Sequence, residues 1–123
     1  MEIEVSIGEI VDKLSILRIK KNNITDENKL VNINKEYDYL YHKVFQELKI
    51  ETSYFYEMIT VNEMLWNVED SIRNKERNKD FDQDFIEMAR AVYITNDRRA
   101  EIKRKINEKY SSYFTEEKSY KPY

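Results

Sequence analysis

Apolar residues recur at helical spacing through most of this chain, and the polar residues between them mark where helices begin and end. Ile3 and Val5 alternate with Glu2 and Glu4, which predicts a short extended lead over residues 1–5. Ser6-Ile7-Gly8-Glu9 then reads as a capping box, with Ser6 accepting from the amide of Glu9 and the Glu9 carboxylate reaching back to the amide of Ser6. From there Ile10, Val11, Leu14 and Leu17, flanked by Ile16 and Ile19, predict a helix to about Asn22. After a break at Asn22-Asn23-Ile24, Thr25 is expected to cap a second helix, in which Leu30, Ile33, Tyr37, Leu40, Val44 and Leu48 step at heptad-like spacing. Thr52 or Ser53 is expected to cap a third, with Met58, Val61, Leu65, Val68 and Ile72 as its buried stripe. Residues 74–80 contain no apolar side chain and predict an exposed loop with a frayed helix end. Asp82, between the staple residues Phe81 and Ile86, is expected to open the last helix.

That last helix carries an interruption. Phe85, Met88, Ala89 and Val92 lie on one face, and Ile102, Ile106 and Tyr110 continue it, but between them the stripe passes through Asn96 and Arg99. Burying an amide without a partner costs about 2 to 7 kcal/mol, and a guanidinium more. Partners for both are therefore expected from this chain, another chain or a ligand. Thr95 could cap a new helix with Asp97 in its first turn, but a single helix running to about Ser111 is favoured. Residues 112–123 lack helical periodicity and are expected to be an extended tail, either disordered or strapped on by its aromatics.

Composition narrows the picture. The chain has 123 residues, 37% of them charged, with one glycine (Gly8) and one proline (Pro122). A β protein needs turn residues at every reversal, and these are nearly absent, so the expected fold is an all-α, mainly antiparallel bundle of about four helices in a single domain, 1–123. Tyr37, Tyr41, Tyr54 and Tyr93 fall on or beside core stripes, and Met58, Met64 and Met88 read as core filling. The formal net charge of −3 argues against nucleic acid and anionic membranes as partners. With no cysteine and one histidine, thiol chemistry and histidine-rich metal sites are excluded, and no cofactor or metal is expected. The acidic start and the lack of any stretch near ~20 apolar residues point to a cytoplasmic protein without a membrane helix.

Val5-Ser6-Ile7-Gly8-Glu9 with Asp12-Lys13-Leu14, Leu65-Trp66 with Glu69-Asp70 and Arg73, Asn96-Asp97-Arg98-Arg99-Ala100 with Lys103-Arg104 and Ile106-Asn107, and Glu116-Glu117-Lys118-Ser119-Tyr120 together resemble a family of small helical bacterial and phage proteins, a domain of unknown function. The resemblance implies that Asn96 and Arg99 belong to a shared pattern. It carries no activity with it.

Those residues suggest one polar constellation on three helices. Asp12 and Lys13 come from the first, Trp66, Glu69, Asp70 and Arg73 from the third, and Asn96, Asp97, Arg98, Arg99 and Lys103 from the last. As a pocket, it would grip an anionic small molecule with Arg98, Arg99 and Lys103 and orient it with Asn96, while Asp12, Glu69 and Asp70 hold the bases. As a structural network, Arg99 would pair with Asp12 or Glu69 and fix helix register. The leading expectation is a non-enzymatic binding module for such an anion or for a protein partner, with a homodimer favoured by the polar, heptad-like composition. The alternatives are a small all-α enzyme, either a metal-dependent nucleotide pyrophosphatase type using Glu9 and Asp12 or a chorismate mutase type, and a purely structural or assembly protein.

Overall fold

The computed structural model describes residues 1–112. Four α-helices follow a lead, residues 1–6, without helix or strand: α1 (Ile7–Asn23), α2 (Glu27–Tyr41), α3 (Thr52–Arg77) and α4 (Gln83–Lys109). The fold is all-α, with no strand among the described residues. The expected tail lies, from residue 113 onward, outside the described residues.

Local chemistry explains most of the boundaries. Ser6 caps α1 by accepting from the amide of Glu9, and Asp82 caps α4 by accepting from the amide of Phe85. The second half of the expected capping box is redirected: the Glu9 carboxylate meets Lys103 on α4. Asp26, not Thr25, caps α2, accepting from the amide of Lys29. Thr52 is the first residue of α3 and Glu51 stands at its cap position without a side-chain bond, so neither Thr52 nor Ser53 is the cap. Residues 74–77, expected in a loop, extend α3, and Lys75 then reaches Asp80 and Asp82 across the connection. α4 is continuous through Thr95, and that side chain is buried.

Two features were not foreseen. α2 runs on into a π-helical segment, His42–Glu47, closed by the Leu48 amide on the carbonyl of Lys43. Near-absence of glycine also does not mean absence of left-handed backbone: Lys49, Lys79 and Ser111 each have φ of 53°. At Lys79 and Ser111 this reversal lets the following amide, of Asp80 or Ser112, bond back to the carbonyl of Lys75 or Asn107 and stop the helix.

α1 is the central element, packed against α2, α3 and α4. Its Val11, Leu14 and Leu17 meet Tyr37, Val44, Ile50, Phe55, Met58 and Ile106 in the core. Helix lengths decide what lies outside it. α1 has 17 residues and spans about 25 Å, whereas α3 and α4, with 26 and 27, reach about 40 Å. The far half of the α3–α4 hairpin therefore extends past α1. Phe85, Met88, Ala89 and Val92, expected as a buried stripe, are only half-buried there, and Phe81 and Ile86 are exposed. Tyr41, Met64 and Tyr93 are exposed too, contrary to their expected place in the core.

Candidate functional site

Three residues spaced four apart along α4, Asn107, Lys103 and Arg99, build a seam with α1. At the bottom, the Gly8 amide donates to Asn107 Oδ1 at 2.7 Å, and the Ile7 amide donates to Ser112 Oγ at 3.0 Å. The first amides of α1, which have no partner within the helix, are thus satisfied by the end of α4. Asn107 is buried and its Nδ2 has no hydrogen-bond partner among the described residues, because the Gly8 N–H demands the oxygen. Glycine is required at position 8 by proximity: a Cβ there would sit 2.6 Å from the Lys103 carbonyl oxygen.

One turn higher, Lys103 is buried, donating to Glu9 Oε2 at 3.1 Å with Asp12 Oδ2 3.8 Å away. Above it stands the centre of the network. Arg99 Nε lies 3.0 and 3.1 Å from the two Asp12 oxygens, and Nη2 donates to Oδ2 at 2.6 Å. Asp12 is 1% exposed, and it also accepts from Asn62 Nδ2 at 2.8 Å. Asn62 Nδ2 also reaches Ser15 Oγ at 2.7 Å, and Ser15 donates to the Asp12 carbonyl. A carboxylate so enclosed is tolerable because each oxygen has charged or polar donors.

Above this network lies an open cleft of about 480 Å³, at the level where α1 ends and α3 and α4 continue. Its lining includes Ile16 and Ile19 from α1, Asn62, Leu65, Trp66, Glu69, Asp70 and Arg73 from α3, and Asn96 and Arg99 from α4. Arg99 belongs to both regions: Nε and Nη2 are committed to Asp12, while Nη1 lies 3.4 Å from Asn96 Oδ1. Arg73 stands at the rim, its Nε 3.3 Å from Glu69 in an exposed i,i+4 pair.

The expected constellation is therefore divided by the fold. Trp66, Glu69, Asp70, Arg73, Asn96 and Arg99 share the cleft. Asp12 and Lys103 belong to the seam behind it. Lys13 points the other way, 3.4 Å from Glu36 on α2, because it is one residue past Asp12 and so turned about 100° from it. Arg98 lines a separate depression with Glu57, Thr60 and Glu101 on the far side of α3 and α4. Asp97 is half-buried on α4 and not among the residues lining the cleft. Glu9 and Asp12 are held by Lys103 and Arg99, and no group of three or more His, Asp or Glu able to hold a metal occurs among the described residues.

Asn62, Ser15 and Asn107 were not singled out as site residues. Asn62 falls on the apolar stripe of α3, four residues after Met58 and three before Leu65, and Ser15 stands between Leu14 and Ile16-Leu17, which is the signal that could have found them.

This seam accounts for two of the four motif groups described above, at Gly8-Glu9-Asp12 and at Arg99-Lys103-Asn107. The chain belongs to the family of unknown function DUF6165, whose model matches residues 1–123. No curated protein and no solved structure matches it. Among the described residues no helix is long and apolar enough to cross a membrane.

Proposed function

We propose that this member of the family is a small cytoplasmic binding module whose cleft takes a small molecule by an anionic group. The observation that carries the reading is the convergence of Trp66, Glu69, Asp70, Arg73, Asn96 and Arg99 on one cleft of about 480 Å³. That volume is within the range of ordinary ligand pockets, roughly 300–1,000 Å³, and the mixture of apolar wall, aromatic face and a few polar groups is what such pockets use. Asp12, Lys103 and Gly8 are explained by packing α1 on α4, whereas Asp70 and Arg73 are exposed and Trp66 is half-buried, all three lining the cleft. The gripping role passes from Arg98 and Lys103 to Arg73, whose side chain is 72% exposed and, among the described residues, pairs with Glu69 at the surface.

A thermal-shift screen of wild type and Arg73→Gln against nucleotides, sugar phosphates and dicarboxylates tests the reading. A ligand at a hundredfold excess over its Kd adds about 2.7 kcal/mol to stability. The expected result is a shift in wild type that Arg73→Gln removes. An equal shift in the variant would place the ligand elsewhere.

The uncovered half of the α3–α4 hairpin supports a homodimer as part of the same proposal. It exposes Phe81 at 54% and Ile86 at 48%, with Ile72 and Met88 half-buried on the same two helices. Sedimentation of wild type and Phe81→Asp with Ile86→Asp should show a dimer that the double variant converts to monomer.

A further inference from the structure

The charges around the cleft narrow its ligand further, on the reading that the cleft is a ligand site. Glu69 and Asp70 oppose Arg73 and Arg99, so the lining as a whole holds no excess of positive charge for an anion alone. Arg99 is already neutralised by Asp12, and Arg73 is shared with Glu69. Asp70 is different: it has no ion pair or hydrogen bond among the described residues, although it lines the cleft. Trp66 lies one turn before it at i,i+4 and Arg73 one turn after it at i,i+3, so the three side chains form one column on α3 with neighbouring Cβ atoms about 5–6 Å apart.

An unpaired carboxylate next to an indole is the chemistry that receives a cation, the charge satisfied by the carboxylate and the surface of the cation lying against the ring. A guanidinium one turn away receives an anion. Asn96, whose Oδ1 faces Arg99, keeps its amide N–H groups as further donors for that anion. We infer that the cleft binds a small zwitterion, its ammonium group between Asp70 and Trp66 and its phosphate or carboxylate against Arg73 and Asn96. The step of about one helical turn, ~5.4 Å, between the two subsites suits charges joined by a short aliphatic spacer.

Trp66 is the chain's only tryptophan, so its fluorescence reports the cleft directly. The full-length chain is titrated with phosphocholine, phosphoethanolamine and γ-aminobutyrate, and with the half-molecules choline, ethanolamine and inorganic phosphate. At least one zwitterion should saturate the Trp66 signal at concentrations tenfold or more below its halves. Asp70→Asn should weaken that zwitterion at least tenfold without weakening the response to phosphate, and Arg73→Gln should remove the response to phosphate. Both positions are exposed, and circular dichroism checks that the variants remain folded.

If phosphate binds as tightly as any zwitterion and Asp70→Asn changes nothing, the cation subsite is wrong and the anion-binding reading stands. If no probe moves the Trp66 signal and Arg73→Gln is equally silent in the thermal-shift screen, both fail. Vesicles of phosphatidylcholine distinguish the source: a response to free phosphocholine alone assigns a soluble ligand, and a response to vesicles as well assigns a lipid headgroup.

Discussion

Asp12 and Asp70 are both aspartates on helices that help to line the same region, and they are used in opposite ways. Asp12 is 1% exposed and receives Arg99 and Asn62, with Lys103 close by. Asp70 is exposed and has no such partner among the described residues. The difference lies in what stands opposite. From Gly8 to Asp12, α1 meets α4 closely enough that Lys103 and Arg99 answer its carboxylates; beyond Asp12 only Ile16 and Ile19 of α1 border the cleft, which is otherwise lined by α3 and α4. Polar groups in the seam fix the register of two helices, and polar groups in the cleft remain available for binding.

The strongest way to break this contrast is to remove the centre of the seam. Asp12→Ala removes the carboxylate that pairs with the Arg99 guanidinium and accepts from Asn62, and should cost about 3 kcal/mol, measured by urea denaturation. Replacing both partners, Asp12→Leu with Arg99→Met, should recover much of that loss, because an apolar pair leaves no uncompensated charge. A double variant no more stable than Asp12→Ala would show that the seam does more than satisfy its own charges.

Gly8→Ala comes next. Its methyl group would sit 2.6 Å from a backbone oxygen that cannot swing aside, so α1 and α4 must separate, at an expected cost of about 1–3 kcal/mol. Wild-type stability in this variant would mean that the seam is not as tightly closed as the cleft is open.

In the cleft the expected effect on stability is close to zero. Asp70→Asn and Arg73→Gln should change unfolding stability by less than about 0.5 kcal/mol, since neither has a buried partner. A large loss in either would move that residue from the binding side of the comparison to the structural one.

The smallest effect belongs to the far tip of the hairpin. The Phe85 amide, and then Lys75, hold the Asp82 carboxyl below its ordinary pKa. Its contribution to stability is therefore complete above the unfolded value, about 4, and is lost as pH falls through the lowered folded value. Comparing melting curves of wild type and Asp82→Asn from pH 7 to pH 2 should show a modest gap that closes at the acid end.

Much of this could be read from the chain. Ser6 and Asp82 cap the helices they were expected to cap, because an N-cap is a local bond between residues three apart. Caps with competing neighbours were harder: Thr25 and Asp26 are both competent, and the accepting carboxylate at Asp26 is the one used. The polar interruption at Asn96 and Arg99 did mark the important place on α4, and Arg99 does pair with Asp12, one of the two partners weighed for it. Lys13 and Arg98 were grouped with the site because they adjoin its residues in sequence, yet one step along a helix turns a side chain by about 100°, which is enough to face α2 or solvent.

By itself, then, the sequence determined the helices, the caps at Ser6 and Asp82, the lack of strands among the described residues and the need for Arg99 to find a partner, since spacing, capping and desolvation act within a few residues or on one side chain. Only the tertiary structure decided that α1 stops short of α3 and α4, that Gly8 lies against Lys103, and that Trp66, Asp70 and Arg73 border open space. Those facts depend on which helices meet and at what level, and contacts between residues 87 or 99 positions apart leave no period in the chain to read.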